Sequence, residues 1–295
     1  VDENGNILQY KRYDSAFFNQ QSALGIIKSS LDNYINTIGF YSGKPKAIGI
    51  GLIGRVDITR GVWLQIDPNR TDPIELASDI ESMYGIPCLI DNDVKSATRA
   101  ERVWGAGQFS QNFVYINVSN GIAVGTVVNG RQIRGSHFNA GEAGHMTVGV
   151  NVGVKCDCGR MNCVEAIASR VGFDKCARLL YDRYDTKLRL PKEDDEMVNV
   201  DEIVRLGRQG DPLCEVLVEN AVEAIANLIM NMVRVTDPDT VVLGGELFSD
   251  GYIYDKVLHK LNPPTMRFVT QGVILTRLNP QFIGLLGACA VAMNK

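Results

Sequence analysis

Three cysteines crowd into the segment C-D-C-G-R-M-N-C as Cys156, Cys158 and Cys163, and His145 stands eleven residues before the first of them. Thiolate and imidazole are the donors that Zn²⁺ prefers, and three of one with one of the other complete a closed, structural tetrahedron. Gly159 permits the tight turn that brings nearby thiolates together. Disulfides are the poorer reading, because seven cysteines are odd in number and a Cys156–Cys158 bridge would be strained. Cys88, Cys176, Cys214 and Cys289 lie in apolar surroundings and read as ordinary core residues. Two carboxylates flank the metal-type residues. Glu142 precedes His145 by three positions in G-E-A-G-H, and Glu165 follows Cys163 by two. A metal holds one ring nitrogen of a histidine and leaves the other for a ligand. Carboxylates beside such a ring suit the vicinal hydroxyls of a sugar, although solvated surface glutamates would show the same spacing.

A second polar group, Asp91–Asn92–Asp93, closes the apolar run IPCLID. The carboxyl ends of parallel strands are where open α/β sheets bind ligands. There Asp93 could act as general base toward a hydroxyl and Asn92 could read one, or both could simply cap a helix. Gly54 ends another apolar run, AIGIGLIG, and would let backbone approach the same ligand. Two turns could cradle phosphate through backbone amides, Ser119–Asn120–Gly121 after FVYINV and Gly244–Gly245 after TVVL, or could be plain turns.

Helices and strands alternate around these residues. Helical spacing predicts a helix over 20–38, another in ELASDIESMYG stopped by Gly85, one over 163–182, a long one over 211–234 and a closing one over 283–294. Strands are expected at 47–54, 86–91, 113–118 and 239–245, with a hairpin about Asn129–Gly130 and another about Asn4–Gly5. The charged stretch 185–197 reads as an exposed loop. The alternation implies α/β architecture with parallel strands and crossover helices, split into two lobes near residue 100. Because a hairpin rarely begins a domain with its first strand missing, the opening at Val1 leads to the expectation of a further segment upstream.

The bulk numbers narrow the function classes. The 295 residues are 45% hydrophobic and 22% charged, with a formal net charge of −4, so the chain carries no basic footprint for nucleic acid. No stretch has the length of a membrane span and the first twenty residues lack a signal-like apolar run, which makes a cytoplasmic protein the expectation.

Taken in order, these motifs resemble the ROK family of bacterial sugar kinases and sugar-responsive transcriptional repressors. The family pattern has an N-D pair after a strand, a Gly-Thr-Gly phosphate turn, G-E-x-G-H, C-x-C-G-x-x-x-C-x-E and a late L-G-G-G. This chain shows Asn92–Asp93, Ser119–Asn120–Gly121, Gly141 to His145, Cys156 to Glu165, and Leu243 to Glu246. The resemblance implies a two-lobed actin-like ATPase (ribonuclease H-like) fold with a zinc-binding loop: an N-terminal lobe at 1–100, a C-terminal lobe at 101–282 carrying sugar and zinc sites, and a closing helix at 283–295 on the N-terminal lobe. It also implies that Gly54, Asn92, Asp93, Glu142, His145 and Glu165 meet the sugar, and that His145, Cys156, Cys158 and Cys163 hold Zn²⁺.

The departures from the pattern bear on activity. The kinases' D-x-G-x-T phosphate loop would fall just before Val1. The second loop reads S-N-G-I-A, with Asn120 for the threonine and Ala123 for a glycine; Glu246 replaces the third glycine of the late turn, and Lys95 stands where an asparagine is frequent. A carboxylate at Glu246 repels polyphosphate. The expectation is therefore the sugar-binding and oligomerisation region of a regulator, similar to the xylose and N-acetylglucosamine repressors. It would be a homodimer or a higher homo-oligomer, with operator DNA read by an upstream domain. The alternative is a sugar kinase using ATP and Mg²⁺, with Asp93 as base and Asn120, Gly121, Gly244 and Gly245 around phosphate.

Overall fold

The computed structural model describes residues 1–13, 19–37, 43, 45–66, 70, 72–193 and 196–293. The chain divides into two compact units. The first comprises 1–108, 134–140 and 281–295; the second comprises 109–133 and 141–280.

In the first unit, helix α1 (Gln20–Thr37) precedes β1 (Ile48–Leu52), a β2 (Arg55–Asp57)–β3 (Val62–Gln65) hairpin, α2 (Leu76–Tyr84), β4 (Cys88–Asn92) and α3 (Asp93–Trp104). Gly85 caps α2 in the left-handed conformation, as its place after Tyr84 predicts. Strands β1 and β4 are parallel, with Leu52 opposite Asn92, so the ends carrying Gly54 and Asn92 are neighbours. The apolar core here is Leu52, Val56, Trp63, Leu76, Ile80, Cys88 and Ile90. Residue 38, the last of the expected first helix, lies outside the described residues.

The second unit is built on β5 (Phe113–Val118), β6 (Ile122–Val128), β7 (Arg131–Gln132), β8 (Thr240–Gly244) and β9 (Val273–Leu275), in the order β7-β6-β5-β8-β9. Strands β5, β8 and β9 run parallel, and β5–β6–β7 run antiparallel. The β6–β7 turn has Asn129 and Gly130 both at positive φ, the two-residue turn that Asn-Gly favours. Helices α4 (Val164–Ala168), α5 (Arg170–Leu180), α6 (Val200–Arg208), α7 (Pro212–Thr236), α8 (Tyr252–Lys260) and α9 (Pro263–Met266) complete this unit. Its core draws twelve buried side chains from α7, including Leu217, Ile225 and Ile229, whose all-round apolar sequence suits a central helix. Among the described residues no helix is long and apolar enough to cross a membrane.

Helix α10 (Ile283–Ala292) returns to the first unit. It lies so close to β1 that a Cβ on Gly49 would sit 1.8 Å from the Ala288 carbonyl oxygen, which explains a glycine inside this strand; β1 itself is largely half-buried rather than buried.

Several expectations need correction. Residues 1–10 form a turn without strands. The Asp2 carboxylate accepts from the Asn4 and Asn6 amides, each at 2.9 Å, and so competes with strand pairing. The expected helix over 163–182 is two helices, α4 and α5. Ser169 is extended between them and caps α5 by accepting from the Gly172 amide at 2.9 Å. Helix α6 was not foreseen. Within 185–197, residues 194 and 195 lie outside the described residues. The segment is not wholly exposed: Leu188 is buried and the Thr186 hydroxyl donates to Asp211 at 2.8 Å.

Candidate functional site

The segment 141–165 places its polar side chains by fixing its backbone first. Gly141 has φ +102°, and a Cβ there would lie 2.1 Å from the Val124 carbonyl oxygen; its own carbonyl accepts from the Val124 amide at 2.8 Å. Only glycine sits so tightly on β6. One helical turn over Ala143–His145 follows, closed by the His145 amide donating to the Glu142 carbonyl at 3.1 Å. The cysteine loop is shaped by Asn162, at φ +57°. Its side-chain oxygen accepts from the amides of Val152, Gly153 and Val154 at 3.2, 2.7 and 3.2 Å. The Arg160 guanidinium donates to the His145 carbonyl at 3.2 Å. Neither Arg160 nor Asn162 was singled out from the sequence, where an Asn two positions before a small helix carries no distinctive signal.

These constraints converge four donors. The ligand atoms of His145, Cys156, Cys158 and Cys163 all lie within 4.8 Å of one another. Cys156 Sγ is 3.5 Å from His145 Nδ1, and the sulfurs of Cys158 and Cys163 are 3.6 Å apart. A tetrahedron with metal–sulfur bonds of about 2.3 Å and metal–nitrogen bonds of about 2.0 Å has edges of about 3.5–3.8 Å, so the donor set fits a zinc-sized ion. The thiols differ in their surroundings. Burial raises the pKa of Cys156, and burial with the neighbouring thiols pushes Cys163 up to about 12. The Arg160 backbone amide draws exposed Cys158 below its ordinary value.

The two carboxylates stand on either side of this ring. Glu142 Oε2 is 4.0 Å from His145 Nε2, and Glu165 Oε1 is 3.8 Å from Nδ1. Their side chains are 49% and 27% exposed, so both can be reached by a ligand. Glu165 also acts as a strut: its Oε2 accepts from the Ile122 amide at 2.9 Å, and a Cβ on Gly121 would lie 2.7 Å from the same oxygen.

The other expected residues fall into two places. In the first unit Asn92 caps α3, accepting from the Val94 and Lys95 amides at 3.1 Å each, while its side-chain nitrogen donates to the Gly54 carbonyl at 3.0 Å. The Asn92 amide is therefore engaged with backbone on both sides. Gly54, at φ +80°, has the β3 backbone where a Cβ would be, 2.2 Å from the Gln65 carbonyl oxygen. Asp93 is exposed at the first residue of α3. Asp91, by contrast, has only 2% of its side chain exposed and receives both guanidinium nitrogens of Arg134, at 2.8 and 2.6 Å. Losing one partner of so buried a pair costs about 3–5 kcal/mol. Lys95 is 6% exposed and donates to the Phe138 carbonyl at 2.6 Å.

In the second unit a cavity of about 720 Å³ opens at the end of β8. Ser119, Gly244, Gly245 and Glu246 line it, together with Arg170, Asn199, Asp201 and Thr276 that sequence reading missed; Asn120 and Gly121 do not line it. A Cβ on Gly244 would meet the Tyr115 hydroxyl at 2.5 Å and its ring at 2.8–2.9 Å, and one on Gly245, at φ +104°, would meet the Val118 carbonyl oxygen at 2.0 Å. The fold itself thus demands both glycines.

The ROK family model matches residues 1–295. The chain belongs to the ROK family. It is 26% identical to a glucokinase of Thermotoga maritima over 84% of this chain and 79% of that protein. It is 36% identical to the xylose repressor of Bacillus subtilis, over 41% of this chain and 31% of the repressor. Among solved structures, the ROK hexokinase of Thermus thermophilus superposes with a TM-score of 0.71 at 28% identity, covering 94% of this chain and 87% of the hexokinase. A ROK family transcriptional regulator, a homolog of the Escherichia coli MLC protein, gives 0.79 at 22% identity, covering 98% and 72%. Membership settles a carbohydrate-related protein on a sugar-kinase-like fold.

Proposed function

We propose that this chain is the sugar-binding region of a ROK transcriptional regulator of carbohydrate metabolism, acting as a homodimer. The observation that carries the choice of regulator over kinase is Glu246. It lines the cavity at the end of β8 with no side-chain partner among the described residues. A nucleotide there would bring polyphosphate against an uncompensated carboxylate. Asn120, in the turn after β5, and Ala123, the second residue of β6, depart from the family's phosphate loop in the same direction, although neither lines that cavity. Sugar hydroxyls are received at Glu142, His145 and Glu165, where two reachable carboxylates flank one imidazole. Gly54, Asn92 and Asp93 are further sugar contacts by family resemblance. Zn²⁺ held by His145 Nδ1, Cys156, Cys158 and Cys163 would supply no redox or acid–base chemistry. It would lock the ring so that Nε2 and Glu142 present one face. Operator DNA would be contacted by protein outside these 295 residues, and sugar would act by binding two conformations unequally.

A kinase is the second reading, and one observation favours it: Asp93 is solvent-exposed at the start of α3, where a base for a sugar hydroxyl would be needed. An ADP-release assay with MgATP across D-glucose, D-xylose and N-acetyl-D-glucosamine separates the two. The regulator reading expects sugar binding by calorimetry and no sugar-dependent ADP. Turnover that disappears in Asp93→Asn overturns it.

A further inference from the structure

The three thiols of the metal-type cluster are carried by a small hairpin whose base is closed by one side chain. Lys155 pairs with Met161 in an antiparallel bridge, and the Cys156 amide donates to the Arg160 carbonyl at 2.8 Å. The turn closes with the Gly159 amide donating to the Cys156 carbonyl at 3.0 Å. Cys156 therefore stands on the outgoing arm and Cys158 in the turn, while Cys163 follows the returning arm and is bridged to Thr147. Asn162 lies between that arm and Cys163. Its backbone amide donates to the Val154 carbonyl at 2.8 Å, and its side-chain oxygen accepts from the three successive amides of 152–154. Its side-chain nitrogen donates to Asn151 at 2.8 Å, so both ends of the amide are engaged. Two other ties reach the hairpin. Lys175 meets Asp157 at 2.6 Å, but the Asp157 side chain is 82% exposed, and an ion pair so open to water contributes little. Arg160 is exposed too and makes a single bond to the His145 carbonyl. Asn162 is half-buried and binds chiefly backbone, so it is the tie that fixes the shape.

We propose that Asn162 is a positioning residue for the metal: it builds the base of the cage before an ion arrives and so sets how tightly the ion is held. None of its partners is a metal donor, so its bonds form with or without the ion. A metal that must order its own loop loses affinity to that ordering, whereas a loop already ordered leaves the full strength of the metal–ligand bonds. In the metal-free chain the base at 151–154 and 162 stays closed while the turn at 156–160 loosens. Asparagine suits the position twice over, because it tolerates the left-handed backbone at φ +57° and supplies the acceptor. The effect on metal rests on the zinc reading above; the closed base does not.

Two variants separate the acceptor from the backbone. Asn162→Gly keeps the freedom to hold positive φ and removes the acceptor, whereas Asn162→Asp keeps both. Unchanged amide hydrogen exchange in β5 and β8 checks that each variant folds. Zinc affinity is read by competition with a chromophoric chelator. Asn162→Gly should hold zinc about tenfold or more weakly than wild type, and Asn162→Asp should recover most of the loss. Equal affinity in wild type and Asn162→Gly, or no recovery in Asn162→Asp, overturns the positioning role. With metal chelated throughout, the amides of 152–154 should exchange about tenfold or more faster in Asn162→Gly than in wild type. Equal rates there overturn the preformed base. If wild type takes up no zinc, the zinc reading fails and the positioning role with it, while the metal-free comparison still decides whether Asn162 closes the base.

Discussion

Gly121→Ala isolates what Glu165 does, because the substitution acts on that carboxylate and on little else. Gly121 is not in the left-handed region, so alanine meets no backbone penalty there. Its Cβ, however, would stand 2.7 Å from Glu165 Oε2, closer than carbon and oxygen approach, and the carboxylate must withdraw by several tenths of an ångström. Withdrawal loosens the hydrogen bond from the Ile122 amide, now 2.9 Å, and shifts the oxygen that stands 3.8 Å from His145 Nδ1. A hydrogen bond to a charged group contributes about 1.5–3 kcal/mol. Water recovers part of that, since the Glu165 side chain is 27% exposed, and alanine removes about 0.4–1 kcal/mol of unfolded-chain entropy. The net loss is about 1 kcal/mol, a fall in Tm of about 2–4 °C by scanning calorimetry. Sugar affinity should drop by about tenfold or more, because the misplaced acceptor serves charged hydrogen bonds. Glu165→Gln gives the contrast: its amide oxygen still accepts from Ile122, so Tm should move little while sugar affinity falls comparably. Gly121→Ala with unchanged sugar affinity and a Tm at or above wild type would refute the strut.

Metal content should be about one zinc per chain. Chelation or Cys158→Ser should lower Tm and speed proteolysis within 141–165, and a protein of unchanged stability after complete metal removal counts against the structural role. Gly245→Ala should destabilise by on the order of 3 kcal/mol in urea unfolding, because it places a Cβ at φ +104° against the Val118 carbonyl; a loss under about 1 kcal/mol would show that the β8 turn can relax. Asp211 is the pH probe. Burial opposes its charge, but the Lys187 and Cys214 amides and the Thr186 hydroxyl outweigh this and hold its pKa below 3.8. A folded pKa below the unfolded one contributes stability that is complete above the ordinary carboxylate range and is lost as pH falls through the folded value. Asp211→Asn should therefore show a shallower loss of Tm than wild type below about pH 4, and parallel acid limbs would contradict the assignment.

Much of the site was legible because its chemistry is local. The four metal-type donors and two carboxylates fall within 142–165, and their residue types limit what they can do whatever the fold. The regular elements were legible for a related reason: β5 and β8 are mostly apolar, Gly85 marks the end of α2, and Asn129–Gly130 marks the β6–β7 turn by backbone geometry. What escaped were partners distant in sequence. Arg134 lies 43 positions from Asp91, and nothing in R-Q-I-R-G says that one of its arginines is buried. Helix α6 was hidden because V-D-E-I-V-R-L-G-R follows a charged stretch and has only four buried positions, Ile203, Val204, Leu206 and Gly207. The break at Ser169 was missed because a serine inside an apolar helix reads as tolerated, and its capping bond to Gly172 appears only in three dimensions.

The glycines show why motif matching alone misjudges the phosphate side. Gly54, Gly244 and Gly245 each answer a demand of packing: the Gln65 backbone, the Tyr115 ring and the Val118 carbonyl occupy the space a side chain would take. Their presence is what the fold requires with or without a nucleotide, so they carry no weight for ATP. The informative positions are those where packing leaves the choice open. Asn120 is exposed, and Glu246 lines the cavity with no side-chain partner among the described residues. Replacing Glu246 with glycine should therefore cost little stability, because no hydrogen bond or ion pair among the described residues depends on the carboxylate. If nucleotide binding by calorimetry then appears where wild type shows none, the carboxylate is the barrier. If wild type already binds MgATP as tightly as the variant, the charge at Glu246 does not decide occupancy, and the case for a regulator loses its main support.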